Sequence, residues 1–363
     1  MRTESKLARG LAAILVACSS GPRSHGEPGH ATADRAADIG AVTLPSSPSD
    51  GLGRGAPPGA PVPDSAVVRQ LFDLQVVEKR HTDATFAALL GREMLVRKIA
   101  YAGADDLTIP AYLFAPRDTT RRRATVLFVH GGAHGDFNLV HLGQVQSLVR
   151  QGYVVLAPDY RGSTGYGIPF YAAIDYGGKE VDDVVAAREY LRTQASWADL
   201  GRLAVMGYSH GGYIALLAVM RHPELFRVAV AHVPVADLPT RMRTHPSWYE
   251  AMFVAQPAFG APVAVDPRPY VLRSPSAHAR ELRTPVLVHA ADNDSDVFIA
   301  ENHTLRDSML AAGKDRAGLY TYREWHAPPG GHSFGVLDTP EGRASWAETL
   351  AFLARHLAPA GAP

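Results

Sequence analysis

Ser209 lies in the frame Gly207-Tyr208-Ser209-His210-Gly211 and is the residue of this chain best placed for covalent chemistry. A serine hydroxyl attacks a carbonyl carbon only when a base takes its proton and a third group orients and balances that base. Candidates for both follow in chain order. The run Ala291-Asp292-Asn293-Asp294-Ser295-Asp296 offers three carboxylates, and Gly330-Gly331-His332-Ser333 offers an imidazole in small-residue surroundings. Upstream, Phe128-Val129-His130 runs into Gly131 and Gly132, where the backbone can approach a substrate oxygen. An oxyanion needs such donors, one from this loop and one from the N–H after the nucleophile, here that of His210. These residue types describe acyl transfer through an acyl-enzyme. His130 and His134 share a loop without a Glu or Cys at ligand spacing, so neither a metal nor another cofactor is expected.

Such groups work only if rigid elements hold them. Leu203 to Met206 is a short buried-strand pattern and Gly212 to Met220 has helical company, so Ser209 falls on a strand-turn-helix. Leu95–Tyr101 and Leu107–Phe114 form a strand pair. Thr125–His130, Val154–Ala157, Val228–Val233, Val286–Ala290 and Leu319–Tyr322 are further strands, apolar enough in the centre to be parallel and buried. Helical spacing lies between them, as in Leu139–Arg150 and Glu180–Thr193, which predicts an α/β sheet covered on both faces. Val67–Arg92 predicts a helix packed on this domain. Asp237–His278, rich in Pro and aromatics, breaks the rhythm as a lid-like excursion, and Trp248, Tyr249, Phe253 and Phe259 are expected to wall a substrate pocket. Arg241 and Arg243 at its start are expected to be solvated, and Arg161 to brace its own loop.

The chain has 363 residues, 36 basic and 36 acidic, and 46% hydrophobic content, enough for one large core. Zero net charge gives no reason to expect a nucleic-acid partner. Arg2, Lys6 and Arg9 precede the short apolar stretch Leu11–Ala17, the layout of an export signal over residues 1–17. Leu15-Val16-Ala17-Cys18 resembles the lipobox of bacterial lipoproteins, and Cys18 is the only cysteine, so no disulfide framework is possible. Residues 18–64 are mostly small residues and Pro, a composition expected to form a disordered tether ahead of a catalytic domain over 65–363. The expectation is a protein of the bacterial cell envelope held at a membrane by lipid on Cys18, which in a Gram-negative cell means the outer membrane or periplasm.

From Arg92 onward the chain resembles the catalytic domain of the prolyl oligopeptidase family of serine peptidases. The resemblance rests on His130-Gly-Gly, on Pro158-Asp-Tyr-Arg-Gly-Ser-Thr-Gly-Tyr-Gly167, on Gly207-Tyr-Ser-His-Gly-Gly-Tyr213, and on Ala291-Asp-Asn-Asp-Ser-Asp-Val297 followed by Gly331-His332. It implies an α/β-hydrolase fold with Ser209 as nucleophile and His332 as base. It also selects Asp294 as the acid, three residues before the valine, and gives oxyanion roles to the Gly132 and His210 amides. Two departures stand out. The roughly 30 foldable residues before Leu95 are too few for a β-propeller, whose blades need about 40 residues each. Many members also carry an oxyanion tyrosine where this chain has His130-Gly-Gly. The resemblance therefore implies a peptidase acting on small peptides or acyl-peptides. An esterase for small or aryl esters is the second reading, and a non-catalytic binding lipoprotein on the same fold the third.

Overall fold

The computed structural model describes residues 65–358. Residues 1–64, with the expected export signal, Cys18 and the expected tether, lie outside the described residues. Eight strands form one sheet: β1 (Leu95–Ala102), β2 (Thr108–Ala115), β3 (Arg123–Val129), β4 (Val154–Pro158), β5 (Ala198–Tyr208), β6 (Val228–His232), β7 (Val286–Ala291) and β8 (Tyr320–Trp325). Their order across the sheet is β1-β2-β4-β3-β5-β6-β7-β8. The β1–β2 and β2–β4 pairs are antiparallel and all pairs from β4 onward are parallel. The parallel strands bring the loops at their carboxyl ends together along one rim, where open α/β sheets hold their sites.

Alternation along the buried strands divides the core in two. Leu127, Val129, Leu203 and Val205 face one hydrophobic layer, while Val126, Phe128, Ala204 and Met206 face the other. The first layer is completed by α4 (Lys179–Gln194), α5 (His210–Arg221) and α9 (Ile299–Ala311), the second by α1 (Ala66–Leu90), α2 (Leu142–Arg150) and α10 (Pro340–Leu357). This is the α/β-hydrolase architecture that the resemblance implies. A short α3 (Ile168–Ala172) follows β4.

The segments outside the sheet differ in how far they follow expectation. The helix before the sheet exists and packs on the domain as expected: Val68, Lys79, Thr82, Phe86 and Leu90 are buried, while Val67, Leu71 and Leu74 are exposed. Its docking face carries the polar residues Lys79 and Thr82 beside the apolar ones. The excursion after β6 contains α6 (Leu238–Thr244), α7 (Ser247–Val254) and α8 (Arg268–Leu272). It does not hang free as a lid. Leu238, Met242, Phe253, Phe259 and Tyr270 are buried in the same layer as α5, and the Tyr213 hydroxyl donates to Arg273 O at 2.6 Å.

Candidate active site

Ser209 stands between β5 and α5 with φ 54° and ψ −119°, a left-handed conformation that side chains other than glycine rarely hold. Its neighbours explain how the turn closes. A Cβ on Gly207 would fall on the Gly211 backbone, and one on Gly211 would fall on the carbonyl oxygens of Val129 and His130. The β3 end therefore lies directly against the turn. Gly131 lies beside it as well: a Cβ there would lie 3.1 Å from Tyr208 O and 3.4 Å from the Ser209 Cβ. The loop bearing Gly131 and Gly132 is thus beside the serine, and Gly132 takes φ +75°. Among the described residues, neither the Gly132 N–H nor the His210 N–H donates a hydrogen bond.

His332 sits in a short 3₁₀ segment, Gly331–Val336, after β8. The Tyr208 hydroxyl donates to Gly335 O at 3.1 Å, tying this segment to the residue before the serine. Phe334 packs on Val233, the residue after β6, which is itself strained at φ 41°. His332 Nδ1 lies 2.7 Å from Asp294 Oδ2. Asp294 is buried, and its other oxygen accepts the N–H groups of Asp296 and Val297, both at 2.8 Å. The carboxylate is therefore fixed by its own loop. On the opposite side of the ring, Nε2 lies 3.6 Å from Asp296 Oδ2. Burial alone would lower the pKa of His332, but its hydrogen bond to Asp294 and the charges of Asp294 and Asp296 outweigh it, and the pKa is raised above the ordinary 6.5. Asp292 turns elsewhere, accepting from Ala327 N at 2.6 Å and lying 3.0 Å from His326 Nδ1.

Arg241 overturns the expectation of a solvated arginine. It is 4% exposed, and its guanidinium reaches Asp296 Oδ1 at 3.0 Å and Glu301 Oε1 at 2.9 Å. It also donates to the Tyr249 hydroxyl at 2.7 Å. Burial pushes the Glu301 carboxyl up to about 7 although Arg241 opposes it. This network joins α6 and α7 to the loop carrying Asp294, through partners more than fifty positions apart that no local pattern reveals. Arg161 is also buried, gripping Asp183 of α4 through Nε at 2.7 Å and Nη2 at 2.8 Å.

The expected pocket wall divides. Trp248 is 52% exposed and Tyr249 is half-buried with its hydroxyl held by Arg241. Phe253 is 0% exposed and packs on the rings of Tyr176, Tyr249 and Phe259. It has no surface to offer a substrate and belongs to the core.

Comparison with known proteins bears on the family and the fold. The sequence profile of the prolyl oligopeptidase family matches residues 140–360. Dipeptidyl aminopeptidase BIII of Pseudoxanthomonas mexicana is 30% identical over 273 residues, covering 71% of this chain and 38% of that protein. The acylamino-acid-releasing enzyme of Sus scrofa is 29% identical over 208 residues, covering 55% of this chain and 28% of that enzyme. Among solved structures, a puromycin-hydrolysing peptidase of Mycobacterium tuberculosis superposes with a TM-score of 0.61 at 25% identity, covering 73% of this chain and 40% of that one. The chain spans less than half the length of each of these proteins.

Proposed function

Because this chain belongs to the prolyl oligopeptidase family, we propose that it is a serine peptidase that cleaves small peptides or acyl-peptides through an acyl-enzyme on Ser209. The observation that carries the proposal is the Asp294–His332 hydrogen bond of 2.7 Å in a segment tied to the strained Ser209 turn. In this reading, His332 Nε2 takes the Ser209 proton as Oγ attacks the substrate carbonyl. Asp294, held by two backbone N–H groups, keeps the proton on Nδ1 and balances the imidazolium that forms. The free N–H groups of Gly132 and His210 donate to the developing oxyanion. His332 then returns the proton to the leaving amine, and water repeats the sequence on the acyl-enzyme. The names of the relatives support small peptides as the substrate class.

A fluorophosphonate should label wild-type Ser209 and fail to label Ser209→Ala. The variant should lose about 10⁴- to 10⁶-fold in kcat on alanyl-alanine p-nitroanilide and on p-nitrophenyl acetate alike. Full hydrolysis by Ser209→Ala would sink the mechanism. An ester leaving group departs without protonation, so the ester should turn over faster in vitro than the anilide. Efficient ester turnover with no cleavage across a peptide library would move the assignment to the esterase reading.

We further propose that the protein is exported and lipid-anchored at Cys18, on the strength of the basic start, the short apolar stretch and the Leu15-Val16-Ala17-Cys18 sequence.

A further inference from the structure

Lys79 sits within α1, outside the sheet and far from Ser209 in sequence, yet it is 3% exposed. A buried ammonium persists only where acceptors replace its water. Three do: Asp136 Oδ2 at 2.8 Å, Phe137 O at 2.7 Å and Asp159 Oδ2 at 2.9 Å. Burial works against its charge, but Asp159 and Asp136 outweigh that and hold its pKa above the ordinary range. The first two partners end the loop that leaves β3 with His130, Gly131 and Gly132. The third, Asp159, closes β4 and turns back to the same loop. Its Oδ1 accepts the Phe137 N–H at 2.6 Å and lies 3.7 Å from His130 Nε2. The Lys79 stem fills the next turn as well, because a Cβ on Gly165 would lie 2.6 Å from the Lys79 Cβ.

Between its two ends the loop is held on the side of the loop after β4: His130 Nε2 lies 2.9 Å from Ser163 Oγ, and His134 Nδ1 lies 2.8 Å from Gly162 O. Gly132 O accepts from Gly135 N at 3.1 Å and from the Tyr160 hydroxyl at 2.6 Å, and Gly135 O accepts from Thr164 N at 2.9 Å. The near end is fixed by the β3 ladder and the far end by Lys79 with Asp159. We propose that Lys79 is a positioning residue for oxyanion stabilisation: from α1 it clamps the 130–137 loop and so sets where the Gly132 N–H points. This rests on the role given to Gly132 above. Lys79 thereby acts on the oxyanion loop from α1 without touching substrate, and the rest of the helix has only a packing role. A displaced donor weakens the transition state more than the ground state, so the loss should fall on kcat.

The test uses the full chain with alanyl-alanine p-nitroanilide as substrate and a peptidyl trifluoromethyl ketone as oxyanion-forming inhibitor. Lys79→Met should lower kcat about 10- to 100-fold, the scale of a misplacement near 1 Å, with KM within about twofold. Inhibitor affinity should fall in step with kcat. Asp136→Asn removes one partner at a more exposed position, and should give a smaller loss in the same direction in a chain that folds even if Lys79→Met does not. Leu90→Ala loosens the other end of α1 and should lower Tm with kcat unchanged. Unchanged kcat and inhibitor affinity in Lys79→Met or Asp136→Asn would overturn the inference, as would an equal kcat loss in Leu90→Ala. Failure of the underlying mechanism shows separately, as turnover that survives Ser209→Ala.

Discussion

His332 faces two carboxylates that act on it differently. Asp294 holds Nδ1 at 2.7 Å from inside the protein, whereas Asp296 lies 3.6 Å from Nε2 and is half exposed. Both raise the pKa of His332, with burial and Arg241 opposing. The base must be neutral to accept the serine proton, so activity appears as pH rises through the folded-state pKa. A raised value puts the acid limb of kcat/KM above the ordinary 6.5 of a histidine. Asp296→Asn removes one of the raising charges, so its limb should shift to lower pH with modest loss of kcat. Asp294→Asn should cost on the order of 10⁴-fold in kcat, since the proton is then no longer held on Nδ1. Asp292→Asn should be mild, because Asp292 bonds to Ala327 and His326 instead. Profiles of kcat/KM against pH for the three variants separate these roles, and equal mild losses in all would refute the assignment of Asp294.

At the level of elements, α6 and α7 combine core and surface within a few residues. Phe253 anchors α7 among Tyr176, Tyr249 and Phe259, and Arg241 ties α6 to Asp296 and Glu301. Phe253→Ala should therefore destabilise by about 3–5 kcal/mol in denaturant titration, as removal of a buried aromatic side chain does. Trp248, 52% exposed on the same helix, should behave in the opposite way. Trp248→Ala should change stability by no more than about 0.5 kcal/mol while altering KM among peptide substrates. Unchanged KM values across a panel of P1 side chains would remove Trp248 from the substrate surface.

For the whole molecule, location is the open property. Among the described residues no helix is long and apolar enough to cross a membrane. Our proposal places attachment at Cys18 instead. Several acyl chains at one N-terminus hold a protein stably where a single chain binds marginally. Cys18→Ser should shift the protein from the membrane fraction to the soluble fraction, or stall it as an unprocessed precursor, and should abolish labelling by a palmitate analogue. Labelling that persists in the variant would end the lipoprotein proposal. The lipid-facing question is separate from catalysis, so the Cys18→Ser protein should keep the kcat of the wild type.

Local rules made the scaffold legible. Apolar β-formers bounded by glycines marked the central strands, and the sheet follows them, although β5 and β8 run further than their apolar cores. The glycines around Ser209 marked a sharp turn, and the backbone contacts at Gly207 and Gly211 are why no larger residue fits there. Spacing left three aspartates open within five positions, and family resemblance chose Asp294. Only the fold brings its Oδ2 against His332, because that distance depends on how two loops 38 residues apart return to one rim. Burial was equally illegible from composition. Phe253 looked like a pocket wall and Arg241 like a solvated cation, but Tyr176 helps to cover the first, and Asp296 and Glu301 take up the second. Lys79 gave no local sign of its role, since its partners lie about sixty to eighty positions away. Hydrophobic period and turn chemistry are properties of neighbouring residues, so the sequence by itself determined strands, turns and the reactive residue types. Pairing of buried charges depends on which distant segments share a dry interior, and that was decided by tertiary packing.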